Sequence, residues 1–201
     1  YLEVERGFYR QFCDNILESV KLLSVTEAEV RERMVCENPE VLNELYERGK
    51  DVAIVTGHYY SWELWFLAID KPLKHQVVLI YKSLSSAFFE EKLKSIRRSF
   101  GTEPVKMKSF SSYVIEQKRP IAVIFGADQS HSNVHKSFWT TFLNQETGVV
   151  FGPEKFADTR KAAVVFCQID RKKRGYYSFK YTMLHDGNSS ADYGEITKQH
   201  V

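Results

Sequence analysis

The chain has 201 residues, enough for one domain with a sizeable core. Charged residues make up 27%, hydrophobic residues 43%, and the net charge is only +2, so no strong nucleic-acid field is implied. No apolar run approaches the ~18–20 residues of a membrane span, and no segment reads as a signal peptide.

Residues 1–23 predict an amphipathic helix, with Val4, Phe8, Phe12, Ile16, Val20 and Leu23 at helical spacing. That face is expected to pack on the core. Thr26-Glu27-Ala28-Glu29 reads as a capped helix start running to about Val35. Asn38-Pro39-Glu40 opens a third helix, which Gly49 ends. Val52 to Val55 is a short, fully apolar strand, followed by a turn at Gly57 and a helix that Ser61 can cap. Gln76 to Tyr81 is a second strand, and Phe88 to Phe100 a helix that Gly101 closes. Pro104 to Met107 reads as a short strand, and Ser109 to Lys118 as a helix. Ile121 to Phe125 is a third apolar strand, and Gly152-Pro153-Glu154 opens a helix to about Lys161. Ala163 to Ile169 and Tyr176 to Met183 are two late strands, joined by the basic turn Arg171-Lys172-Lys173-Arg174-Gly175.

This order predicts an α/β fold with a mostly parallel central sheet flanked by helices. The late strands form an antiparallel hairpin, and a helical segment precedes the sheet. Residues 1–49 would be N-terminal helices and 50–201 the α/β core of one domain. Both ends look cut, since the chain starts at Tyr1 and stops at Val201 in what reads as a helix opening.

The most informative stretch runs from Val52 to Glu63. A buried strand, a glycine, His58, a helix start and Glu63 follow one another at a strand's C-terminal edge, where ligands gather in open α/β sheets. An imidazole can take a proton from an alcohol when its other nitrogen is held by a carboxylate. Glu63, five residues on, is the expected holder. The alternative is a histidine that merely satisfies backbone groups at a turn. Asp128-Gln129 ends the third apolar strand on the same edge, fit either to bind substrate or to be a solvated strand end. Lys82, Arg97 and Arg98 form a basic group suited to phosphate or carboxylate, although basic helix faces are usually just solvated. Trp62, Trp65 and Phe66 can line an acyl-sized pocket or be plain core.

Other features say less. His131 and His135 lie i, i+4 without a third ligand in a zinc-like pattern. Cys13, Cys36 and Cys167 are scattered, which reads as free thiols in a reducing compartment. The basic turn reads as an exposed hairpin tip, open also to anionic headgroups or an acidic carrier protein.

Gly57-His58 followed by Trp62-Glu63 resembles the H-x4-[DE] signature of the lysophospholipid acyltransferase superfamily. Ala127-Asp128-Gln129, Asn38-Pro39-Glu40, Arg97 with Gly101, and Phe142-Leu143-Asn144 to Thr147 with Gly152-Pro153-Glu154-Lys155 extend the likeness over nearly the whole chain. Together with the segment Phe8 to Asp14 they resemble the lipid A late acyltransferases (the lauroyl and myristoyl transferases) in their Bacteroidetes-type form. Tyr60-Ser61 departs from the Gly-Asn pair common in those relatives. The family's N-terminal membrane helix and C-terminal helix are not in this sequence.

The resemblance implies transfer of a fatty acyl group from an acyl-carrier-protein or acyl-CoA thioester to a hydroxyl of a lipid A precursor or related lipid. His58 would be the general base and Glu63 its partner. Arg97 and Lys82 would contact the acceptor's phosphate, while Asp128, Gln129 and Thr147 would support the site. It implies no cofactor and no metal, no nucleic-acid partner, and work at the cytoplasmic face of the bacterial inner membrane. Other lipid acceptors (a lysophospholipid, an aminolipid, a pigment lipid), a non-catalytic lipid-binding protein and a thioester hydrolase are the competing readings. No G-x-S-x-G elbow supports a serine hydrolase.

Overall fold

The apolar run at Val52 becomes the middle strand of a seven-stranded sheet in a computed structural model, which describes residues 1–129 and 134–201. In chain order the helices are α1 (Leu2–Lys21), α2 (Glu27–Arg33), α3 (Glu40–Glu47), α4 (Trp62–Ala68), α5 (Ala87–Ser99), α6 (Phe110–Glu116), α7 (Gly152–Arg160) and α8 (Glu195–Gln199). The strands are β1 (Met34–Cys36), β2 (Val52–Thr56), β3 (Gln76–Tyr81), β4 (Glu103–Lys106), β5 (Ile121–Gly126), β6 (Ser137–Phe142), β7 (Gln145–Val150), β8 (Ala163–Lys173) and β9 (Tyr176–His185). Sheet order is β1-β9-β8-β2-β5-β3-β4. Strands β8, β2, β5, β3 and β4 run parallel; β9 turns back antiparallel to β8, and β1 pairs parallel with β9. The fold is the mixed, mostly parallel α/β architecture that the alternating strands and helices predict.

All five residues of β2 are buried, because helices cover both faces of the sheet. Val52 and Ile54 face a core built with Leu42 and Leu45 of α3 and Trp65 and Leu67 of α4. Ala53 and Val55 face the opposite core, with Val114 of α6, Phe156 of α7 and Ile196 of α8. The two-residue side-chain period of the strand thus divides one apolar run between two layers. Trp65 is completely buried and Phe66 nearly so. Both are core, so the expected acyl pocket keeps only Trp62 of the three aromatics.

Start signals hold unevenly. Thr26 makes a reciprocal capping box with Glu29, accepting its backbone N–H and giving its own N–H to the carboxylate. Ser61 and Ser109 stand at helix starts, but neither side chain makes a capping bond.

Helix α1 departs most from expectation. Its apolar positions Val4, Phe8, Phe12, Ile16 and Val20 are 49% to 77% exposed, and the only residue of the helix that is buried is Asp14. The polar side decides the orientation. The Asp14 carboxylate accepts hydrogen bonds from Arg174 (2.7 and 2.9 Å) and Arg171 (3.3 Å), Gln11 accepts one from Arg171 (2.9 Å), and Tyr177 Oη donates to Glu18 (2.8 Å). Taking a carboxylate out of water is tolerated only with such charged partners. The basic turn is an exposed hairpin tip, as expected, but its charges are engaged within the chain. Its two arginines are spent on Asp14, Lys172 pairs with Glu37 (2.9 Å), and Lys173 lies over the Tyr176 ring (4.0 Å).

Candidate active site

The C-terminal ends of β2 and β5 lie side by side, with Thr56 level with Gly126. The chain leaving β2 reaches His58, and the chain leaving β5 reaches Asp128. Asp128 grips the histidine twice: Oδ2 accepts the backbone N–H of His58 (2.9 Å), and Oδ1 lies 2.8 Å from Nδ1. Burial works against the Asp128 charge, but the His58 N–H and imidazole outweigh it and hold this carboxyl below its usual range. A carboxylate on Nδ1 makes that nitrogen the protonated one and leaves the Nε2 lone pair open. The ring also meets the edge of Trp62 (centroids 5.6 Å apart).

The expected partner of His58 is Glu63, yet both Glu63 oxygens accept from Nη2 of Arg97 (2.9 and 2.8 Å). Arg97 is 11% exposed at its side chain and lies against the Phe66 ring (5.4 Å). The pair ties α4 to α5, and Arg97 is not the open phosphate receptor that the sequence suggests. Lys82 stands exposed just past β3, on the same sheet edge as His58, and carries no ion pair among the described residues. Gln129 is exposed beside Asp128. Thr147 lies apart, in the separate two-stranded sheet of β6 and β7, opposite Thr140, and donates to the Gln145 carbonyl (3.1 Å). His131 lies outside the described residues. Among those described, no group of three His, Cys, Asp or Glu could hold a metal ion. Burial pushes the Cys36 thiol up to about 11 and that of Cys167 well above the ordinary range, so neither is a ready thiolate.

His58 opens onto a cavity of about 690 Å³. Its walls are Phe8, Gln11, Phe12 and Asn15 of α1, Tyr59 and Tyr60 of the turn, Trp62 at the start of α4, and Gln168, Ile169 and Asp170 of β8. This described lining contains no Lys or Arg. Sequence reasoning missed the β8 contribution. The available signal was that β8, being parallel to β2, must deliver Gln168 to Asp170 to the edge where β2 delivers His58. Tyr59 secures the arrangement by accepting the Ile169 N–H at its hydroxyl (2.8 Å). Tyr60 is held at φ 49°, a left-handed conformation that costs an ordinary residue about 1–2 kcal/mol. Packing of its ring on Tyr59 and Tyr177 offsets that cost.

Residues 4–200 match the family model for bacterial lipid A biosynthesis acyltransferases. The chain belongs to this family. No curated protein matches it. The acyltransferase family moves acyl groups to lipid acceptors, so the cavity beside His58 is the natural place to look for that chemistry.

Beside the imidazole, this acyltransferase leaves no room for a side chain at Gly126. A Cβ on Gly126 would stand 2.7 Å from Cε1 of His58. Gly126→Ala is expected to swing the imidazole off Asp128; with His58 as the base, kcat would fall about 100-fold, a typical penalty for misplacing a reacting group. Its melting temperature should stay near that of the wild type, since Gly126 is exposed at a strand end. Unchanged turnover would mean that the observed ring position is not the reactive one.

Proposed function

We propose that this chain transfers a fatty acyl group from an acyl-carrier-protein or CoA thioester to a hydroxyl of a lipid A precursor or related bacterial lipid. The observation that carries this reading is the His58–Asp128 pair, 2.8 Å apart, at an aromatic cavity of acyl dimensions. Nε2 of His58 takes the proton of the acceptor hydroxyl as its oxygen attacks the thioester carbonyl. The tetrahedral intermediate collapses, the carbon–sulfur bond breaks, and the departing thiolate takes the proton back from the imidazolium. Asp128 fixes the tautomer and stabilises the imidazolium. Phe8, Phe12, Tyr60 and Trp62 receive the chain of the acyl group. Lys82 is the cation best placed for an acceptor phosphate lying outside the cavity.

The direct test is incubation of the protein with acyl-carrier-protein and CoA thioesters and a total bacterial lipid extract, read by mass spectrometry. One lipid gaining an acyl mass supports the reading and names the acceptor. Thioester consumption with no acylated lipid would replace transfer by hydrolysis.

The outward stripe of α1 supports a reading in which the cavity mouth sits at a lipid surface. No helix of the described residues is long and apolar enough to cross a membrane. The α1 stripe fits the interface instead, with Val4, Ile16 and Val20 turned outward beside Phe8 and Phe12 at the cavity mouth. The helix carries four acids and three bases, so its attraction to lipid is apolar rather than electrostatic. Ile16→Asp with Val20→Asp is expected to weaken binding to lipid vesicles at least about tenfold, with little dependence on salt. Equal flotation of wild type and variant would remove α1 from the membrane contact.

A further inference from the structure

A second cleft, of about 360 Å³, lies at the other end of β2. Asp51 precedes the strand there and His58 follows it at the far end, roughly 17 Å of extended strand away. The proposed acyl transfer makes no use of this cleft. Its lining gathers Arg48, Lys50, Lys118, Arg119, Arg160 and Lys161 around the single acid Asp51, in a chain whose net charge is only +2.

Cations at this edge have an ordinary source, because α3, α6 and α7 all end here and their carbonyl ends attract positive charge. Three helix ends at roughly half a charge each, Asp51, and Glu44 beside Arg48 (3.9 Å) still leave more than two of the six cations without compensation. The internal contacts leave the remainder open. Asp51 takes only Nε of Arg160 (2.8 Å), and its other oxygen accepts the Ile121 N–H (2.9 Å). The Lys50 ammonium donates to the Gly187 carbonyl (2.8 Å) and feels the Asp186 carboxylate without pairing directly with it. Among the described residues, Lys118, Arg119 and Lys161 carry no ion pair.

We infer that this cleft is a binding site for a small, soluble, multiply phosphorylated ligand. Guanidinium and ammonium groups converging on a recess of this volume match several phosphate oxygens at once. A recess favours a small ligand over a flat protein partner. The lipid-facing stripe of α1 borders the His58 cavity at the opposite sheet edge, so the cleft is turned away from that surface.

Calorimetric titration of the full chain with inorganic triphosphate, at about 0.15 M salt, tests the assignment. Saturable binding of one ligand per chain is expected. The variant Lys118→Gln/Arg119→Gln/Lys161→Gln removes exposed side chains and should weaken it at least about tenfold. A control of equal charge change elsewhere, Arg6→Gln/Lys92→Gln/Lys108→Gln, should change affinity less than about twofold. Absence of saturable heat, an unaffected cleft variant, or equal loss in the control would each overturn the proposal. So would binding to phosphatidylglycerol vesicles that depends on the three cleft cations while triphosphate gives no heat, because that would assign the cleft to lipid headgroups.

Discussion

His58→Ala is expected to abolish acyl transfer and leave the protein folded. The imidazole is 38% exposed and, among the described residues, its side-chain hydrogen bond goes to Asp128 alone, so removing it deletes little packing. Surface changes of this kind move stability by about 0.5 kcal/mol, which thermal unfolding would register as a small shift. The chemical loss is of another size. An acceptor alcohol is a poor nucleophile without a base, and a positioned general base contributes about 10²- to 10⁴-fold. Product formation read by mass spectrometry should therefore fall below detection over the time in which the wild type converts its substrate. Retained turnover in a well-folded His58→Ala protein would take His58 out of the mechanism and leave only the family-level activity standing.

Most of the sheet is legible in the sequence because parallel strands covered on both faces must be continuously apolar, and Val52–Val55, Val77–Ile80 and Ile121–Phe125 are. The strands that escape are those without that signal. Strand β1 is three residues at the end of a helical pattern, and exists because β9 offers it an edge. The β6–β7 hairpin turns at Leu143-Asn144, both at positive φ, where an Asn-Gly pair would have announced it. Helix α1 is read correctly as amphipathic, but periodicity says only that a face is apolar. It does not say whether protein or something else covers it. The buried ion cluster at Asp14, formed with arginines more than 150 residues away in sequence, settles which side meets the protein.

The site shows the same limit. His58 and Asp128 can each be picked out as strand-end polar groups, but their pairing depends on β2 and β5 being neighbours, which no local pattern reveals. Spacing favours Glu63 because five residues across a strand-to-helix turn is within reach. The structure hands Glu63 to Arg97, a competitor supplied by α5 that a short-range argument does not see.

The two carboxylates should therefore separate cleanly. Asp128→Asn keeps the shape but not the charge. An amide that donates to Nδ1 leaves the proton on Nε2, the nitrogen that must accept one, and it no longer stabilises an imidazolium. The expected result is a fall in kcat of about 10²- to 10⁴-fold with the KM for the thioester little changed. Combined with His58→Ala it should add almost nothing, since the two act as one unit. Glu63→Gln acts elsewhere, leaving the largely buried Arg97 guanidinium without a counter-charge at a cost of about 3 kcal/mol. Its melting temperature should drop by several degrees, while kcat, measured where the variant is still folded, stays within about tenfold of wild type. The opposite pattern, with Glu63→Gln inactive at full stability and Asp128→Asn only mildly impaired, would mean that substrate binding draws Glu63 away from Arg97 and onto the imidazole. The pairing of His58 with Asp128 would then be a resting arrangement, and the base would be armed only once the cavity is filled.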